Sequence, residues 1–519
     1  MSRYSRRAVL LAATGASLAG AAAAAPRRSQ QSPSSVSVGG DGRLVYAADA
    51  RGNRVPDFSN VGYRGGDAPL PEPGSIPVRA TVAPLPKGED AGPALQAALD
   101  AVGKLPPDAR GLRGAVLLKR GVYPVRGVLR LRAGGVVLRG EGEGADGTVL
   151  VATGKGQRSL VQVGGEGEAK EVPGTRRDIT DAYVPVGART FHVADASPFK
   201  VGDAVIVRRL STAEWIRAIG MDRIPIAKDK STVQWKPGSK DLLFDRVITR
   251  IEGNAITVDA PLCNAFEKDM GPGVVYKYAF PGRIENVGVE DLRGDSEYVS
   301  PTDEDHGWKF VSLGAVQNAW VRRVTAVHYG YSSVSVERPA KWVTVSDCTC
   351  LDPVSQISGG RRYAFNLVGQ LTLFERCRSR DGRHDFVLGS TVAGPNAFVD
   401  CRAENAHADT GPHHRWSVGC LFDKVTVTSS GSRRSGVGIN IRDRGNSGTG
   451  HGWVGANCVV WNCEAPEMIV QSPPTAQNWA IGCRTPSKKG NGVWESFGTP
   501  VLPKSLYRAQ LTERQKQKR

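Results

Sequence analysis

The sequence predicts an all-β protein wound as a parallel solenoid, and three observations point there. Gly and Pro number 62 and 32 among 519 residues, about 18% against roughly 12% on average. Outside the N-terminus the apolar runs are short and rich in Val and Ile, with glycine-containing turns between them. These runs recur roughly every 20–30 residues, the period of a coil that lays one short strand on each side per turn. Other classes are excluded. The Gly plus Pro share lies below the roughly 25–30% of low-complexity disorder, and 40% hydrophobic residues can build a large core. Only four Met, and no long apolar run beyond the leader, argue against a helical bundle or a multi-span membrane protein. A propeller would need four longer strands in each repeat of roughly 40 residues.

The elements follow in order. Residues 1–25 read as a twin-arginine export signal, in which Arg6-Arg7 precede an Ala/Leu stretch and small residues at 21–25 form a cleavage site before Pro26. The mature protein is therefore expected in the periplasm or outside the cell. Residues 26–80, punctuated by Gly, Pro and Ser, read as an arm. Residues 81–174 hold an N-terminal cap and the first rungs: Asp90 caps a helix whose apolar Leu95, Ala98, Leu99 and Val102 fall on one face, and Pro106-Pro107 ends it. Such a helix covers the open edge of the first rung. Runs at 115–118, 122–125, 128–131 and 136–139 follow, too short to cross a sandwich.

Residues 175–280 change texture. Alternating runs at 183–186, 190–193, 203–207 and 247–251, with a hairpin turn at 252–255, predict a small inserted antiparallel β module. A loop with Trp215, Trp235 and many Lys interrupts it; the loop either overhangs the solenoid or is a surface excursion. Residues 281–500 resume the coil, with runs at 284–289, 317–321, 341–345, 371–374 and 396–399, and residues 501–519 form a polar basic tail. Nine Cys in an exported chain would ordinarily mean disulfides. Here Cys348, Cys377, Cys401, Cys463 and Cys483 each follow a polar or small residue at the end of a strand-like run, which predicts an internal stack of small buried side chains. The wide gap from 401 to 463 would hold more than one turn, and no paired CxxC motif supports zinc.

Lys plus Arg exceed Asp plus Glu by 68 to 51, a net charge of +17. Part of the excess is peripheral, with Arg3, Arg6 and Arg7 in the leader and Arg514, Lys516, Lys518 and Arg519 in the tail. The rest attracts polyanions, among which nucleic acid, acidic polysaccharide and anionic envelope all qualify.

Residues 55–63 (Val-Pro-Asp-Phe-Ser-Asn-Val-Gly-Tyr), the helix at 90–102, the runs at 114–118 and 121–123 and the later repeats resemble the pectate-lyase-like superfamily. The resemblance covers most of the mature chain and implies a right-handed parallel β-helix. It leaves the reaction open, because lyases, hydrolases, epimerases and adhesins share that fold. Neither the calcium-binding Asp cluster with partnered Arg of ordinary pectate lyases nor the Asn-x-Asp, Asp-Asp and Gly-His set of polygalacturonases aligns.

Four segments combine His, Arg or Lys and an aromatic: 303–309 with His306 and Trp308, 382–386 with Arg383 and His384, 411–416 with His413, His414, Arg415 and Trp416, and 440–453 with Arg442, His451 and Trp453. Six of the eight His lie within or beside them, counting His407. In a solenoid, residues one turn apart sit roughly 4.8 Å apart along the axis, so these segments can line one groove. Such a set suits β-elimination on a uronate polymer, which needs the carboxylate neutralised, a base for the adjacent proton and an acid for the leaving oxygen. His384 or His414 is read as base or acid, with Arg383, Arg415 and Arg442 as carboxylate clamps. Trp308, Trp416 and Trp453 would stack on sugars, and His413, His451, Arg361 and Arg362 extend the lining. Adjacent His413 and His414 cannot face the same way on a strand, so one of them is structural.

The expected partner is an acidic polysaccharide rather than nucleic acid, or a membrane after signal cleavage, and the protein is read as a monomer. No cofactor is required; the alternative is a metal such as calcium at Asp303, Asp305 and His306, with Glu304. Two further readings stand beside the lyase: a glycoside hydrolase using Asp385, Asp409 or Asp423 as its carboxylate pair, and a non-catalytic polysaccharide- or envelope-binding protein.

Overall fold

A computed structural model describes residues 34–429, 431 and 436–518; the leader with its paired arginines, and Arg519, lie outside them. The backbone repeats by pairing each short strand, in parallel, with the strand one turn later. One such line runs through Trp320, Thr344, Leu373, Ala397, Leu421, Val459 and Trp479. The rungs have three faces: two merge into a twenty-stranded sheet and the third is a separate ten-stranded sheet. The chain is a right-handed parallel β-helix, with an N-terminal capping helix and an inserted antiparallel module.

The inner side of the coil explains the cysteine spacing. Register places Leu292, Val324, Cys348, Cys377, Cys401, Val425, Cys463 and Cys483 at one corner of successive rungs. All nine Cys are free and buried. Val425 occupies the turn that the 401–463 gap had to contain, and its N–H donates to Cys463 Sγ at 3.2 Å. The residue before each of these positions adopts the left-handed conformation, as at Asp347, Arg376, Asp400, Lys424 and Asn462, with φ between 49° and 57°. Asp and Asn tolerate this region better than most residues. Their side chains point outward and pair between rungs, Asp347 with Arg376 at 2.7 Å and Asp400 with Lys424.

The capping helix spans Gly92–Gly103 and buries Leu95, Leu99 and Val102 over the first rung. Asp90 sits one residue before the N-cap position and accepts from Gly92 N at 3.0 Å and Arg126 N at 3.2 Å. The coil starts earlier than the sequence indicated, since strand Val78–Val82 pairs with Gly114–Leu118. The arm before it crosses several rungs: Gly62 N donates to Leu371 O, and Val55, Phe58 and Val61 pack with Leu373, Leu421 and Trp461. Gly62 has φ +88°, and a Cβ there would lie 2.8 Å from Thr344 Oγ1. The segment read as a polar tail is in fact a docked helix, Leu506–Gln517, capped by Ser505. Its Gln510 bonds Phe58 N and Pro56 O, and Arg514 bonds Ser59 O and Gly65 O.

The inserted sheet runs from Lys170 to Ala279 with antiparallel pairings. Buried Asp245 ties it to the coil, accepting from Lys341 Nζ at 2.6 Å and Arg283 Nη1 at 2.9 Å. Its loop overhangs the solenoid: Trp215 packs edge-on against Trp416 at 4.7 Å, and Trp235 Nε1 donates to Gly450 O.

The ladder yields a prediction. Val425→Cys should cost less than about 1.5 kcal/mol, as a conservative core swap, whereas Val425→Asp should cost about 4 kcal/mol or more by burying an unpaired charge. Thermal unfolding measures both; an aspartate tolerated without loss would mean that position 425 does not face the interior.

Candidate active site

The site is built on the outer side of the ten-stranded face. In strand Asp409–Pro412 and the residue after it, alternation sends Asp409, Gly411 and His413 to one side. Gly411, at φ +132°, places no side chain between the other two, and a Cβ there would lie 2.5 Å from Asn440 O. The guanidinium of Arg444, from the next rung, spans them: Nη1 donates to His413 Nδ1 at 2.7 Å and lies 3.3 Å from Asp409 Oδ2. From the preceding rung, His384 Nδ1 donates to Asp409 O at 2.7 Å.

Aromatic rings continue this cluster along the coil axis. Trp308 stacks on Tyr331 at 6.3 Å, Tyr331 meets Tyr363 at 5.1 Å, and Tyr363 lies 5.0 Å from His384 and 5.3 Å from His413. His413 then meets His451 at 5.1 Å, and His451 meets His414 at 5.2 Å. Arg415 and Trp416, beside the histidines, are consecutive non-glycine residues in the left-handed region, φ 56° and 59°.

The electrostatics are one-sided. Among the described residues Arg338, Arg383, Arg415, Arg442 and Lys240 form no ion pair. Arg338 bonds Ser390 O, Arg383 bonds Gly359 O, and Arg415 bonds Thr449 Oγ1. Burial pushes the His384 imidazole down to about 4, only partly offset by Asp409. Burial and then Arg415 bring His414 to about 4, and burial followed by Arg444 brings His451 to about 3. His413 is pushed down further still, by burial first and then by His384 and Arg444. The rings are therefore neutral at neutral pH. Burial raises Tyr363, which keeps its proton. It works against ionisation of Asp409 too, but His384 and Arg444 beside it hold that carboxyl below its usual range.

The structure thus gathers His384, His413, His414, His451, Arg383, Arg415 and Arg442, and it corrects other sequence readings. His384 is 0% exposed, so its ring supports the cluster from behind rather than meeting a substrate. Trp416 is also 0% exposed and donates to Asn264 Oδ1, and half-buried Trp453 donates to Ile219 O. Both hold the inserted loop, whereas Trp308 is half-buried and stacks on Tyr331. Arg361 is bound to Glu304 at 2.7 and 2.8 Å, and buried Arg362 donates to Ser355 O. The proposed metal residues are occupied as well. His306 bonds Ser296 Oγ and Val354 O through its two nitrogens, while Asp303 and Asp305 accept backbone N–H groups. The hydrolase carboxylates do not converge, since Asp385 bonds Ser379 and Asp423 lies under the C-terminal helix, bonded to Ser505 and Tyr507 N.

Sequence reasoning missed Arg444, which only a turn after the strand brings back to His413. Among the described residues His384, Asp409 and His413 place ligand atoms within 4.8 Å of one another. Arg444 already donates to Asp409 Oδ2 and His413 Nδ1, which sets a cation against two of the three.

No family model matches the sequence, and no curated protein matches it. Among solved structures, the chain is similar to the tailspike protein gp49 from Pseudomonas phage LKA1, with 15% identity and a TM-score of 0.44, covering 76% of this chain and 56% of the tailspike. It is similar also to an alginate lyase from Paenibacillus sp. str. FPU-7, with 7% identity, a TM-score of 0.40 and coverage of 80% and 96%. A third is an endo-xylogalacturonan hydrolase from Aspergillus tubingensis, with 12% identity, a TM-score of 0.39 and coverage of 81% and 100%. The strand pairings decide the architecture. Its fold is a parallel β-helix.

The neutral, sealed His384 gives a pH prediction. Unfolded, its ring takes a proton near pH 6.5; folded, only near pH 4. Stability is therefore present above about pH 6.5 and lost as pH falls toward 4, by about 3 kcal/mol for this group. Urea unfolding across that window should show His384→Gln with a shallower slope than wild type, and identical slopes would mean that the folded ring already titrates normally.

Proposed function

We propose that the protein is an exported enzyme that cleaves a uronate-containing polysaccharide by β-elimination on the ten-stranded face. The observation that carries this reading is the set of cations without carboxylate partners, Arg338, Arg383, Arg415, Arg442 and Lys240, around a row of neutral imidazoles and aromatic rings. Unpaired guanidiniums are costly to desolvate, and a substrate carboxylate relieves them. Rings spaced over successive rungs offer flat apolar surfaces to consecutive sugars.

The chemistry assigns itself by protonation state. Half-buried His414 is neutral and accepts the proton from the carbon beside the carboxylate; the C–H electron pair becomes the new ring double bond as the adjacent C–O bond breaks. Arg415 and Arg442 neutralise the carboxylate, which acidifies that C–H and stabilises the charge that develops. The low pKa of His414 reflects burial and neighbouring cations, and an arriving carboxylate reverses that field and strengthens it as a base. Tyr363, which keeps its proton, is the donor on the same row for the leaving oxygen.

A panel of uronate polymers should yield a product with the ultraviolet absorbance of an unsaturated uronate end. His414→Ala should lower that rate by roughly a hundredfold or more, and Arg415→Gln should mainly raise KM. Reducing ends without the absorbance would establish hydrolysis instead, and binding without cleavage would establish a non-catalytic protein. An undiminished rate in His414→Ala would remove that residue from the mechanism.

A further inference from the structure

His413 is the least accessible of the imidazoles that face the row, and its partners leave it only one proton arrangement. An arginine has donors and no acceptor, so the 2.7 Å contact from Arg444 Nη1 requires a lone pair on His413 Nδ1. The neutral ring must then carry its proton on Nε2. The same logic gives His384 the opposite arrangement: a carbonyl only accepts, so the 2.7 Å contact with Asp409 O puts the proton on His384 Nδ1. Its Nε2 lone pair is buried without a partner. Two neutral rings 4.2 Å apart are thus held as opposite tautomers, both through the Asp409–Arg444 unit.

We propose that Arg444 is a positioning residue, which together with the Asp409 carboxylate locks His413 as its Nε2–H tautomer and makes that ring a hydrogen-bond donor to the substrate rather than a second base. The role given to His413 rests on the lyase reading above; the tautomer does not. A neutral imidazole donor suits the oxygen on which charge develops when the proton beside a carboxylate is removed, because it stabilises that oxygen without surrendering its own proton. Asp409 contributes by holding the guanidinium in place, 3.3 Å from its Oδ2, while its backbone carbonyl orients His384. The division of labour matches exposure: His414 is half-buried and receives the proton, whereas His413 is 4% exposed and fixed.

The test uses the full-length protein labelled with 15N-histidine, with His413 resonances assigned by their loss in His413→Gln. In wild type at neutral pH, His413 should show an unprotonated Nδ1 and a protonated Nε2. Arg444→Gln and Asp409→Asn should shift the ring toward a mixture of tautomers, with Arg444→Lys intermediate, because one ammonium cannot span both acceptors in the guanidinium's geometry. On a cleaved polymer, Arg444→Gln should lower kcat by roughly tenfold to a hundredfold with little change in KM. A protonated Nδ1 in wild type, or an unchanged tautomer in folded Arg444→Gln, overturns the proposal whether or not a polymer is found. The predicted tautomer shift with an unchanged kcat would keep the lock and overturn the donor role.

Discussion

The parallel backbone ladder is the constraint on which the rest depends. Each strand must meet the strand one turn later in register, so a position on one rung fixes what may stand on the next. Small or apolar side chains at one inner corner, from Leu292 to Cys483, and left-handed residues just before them are both consequences of that single requirement. The outward pairs Asp347–Arg376 and Asp400–Lys424 contribute little as exposed ion pairs, but they decorate corners that the backbone has already placed.

The same register makes the site. His384, Asp409 and Arg444 come from three consecutive rungs, and Asp409 meets His384 on one side and Arg444 on the other only because strands Phe386–Leu388, Asp409–Pro412 and Gly438–Ile441 pair in parallel. The inserted module adds a wall. Its loop is fastened by buried tryptophans, so residues 449–453 and the imidazole of His451 sit against a packed surface rather than a free loop. Burial in turn keeps the imidazoles neutral, and among the described residues none of the five cations is held in an ion pair, with Asp409 the carboxylate nearest Arg383 and Arg442.

Much of the fold was legible in the sequence because its signals are local. A polar residue, then Cys, at the end of a short Val-rich run is a backbone corner followed by an inward side chain, and it repeats wherever the coil does. Val425 escaped that pattern since its side chain satisfies the same interior without being Cys. The C-terminal helix escaped because its residues are mostly polar and its anchoring is specific, through Gln510 and Arg514 to backbone carbonyls of the arm. At the site, the cluster of histidines was readable, but exposure was not. His384 and Trp416 look like the neighbouring candidate residues in composition, and only packing shows that one lies behind the row and the other holds the insert. Arg444 carried no motif at all; its role depends on where a turn aims it.

The latch between the arm and the C-terminal helix has a mechanical consequence. A stack whose rungs touch only their neighbours peels from either extremity, one rung at a time. Here Gln510 bonds Phe58 N, 452 positions away along the chain, so the arm and the last helix hold each other in place. The described chain is tied back on itself, and loosening the helix Leu506–Gln517 also withdraws support from the arm at residues 56–65.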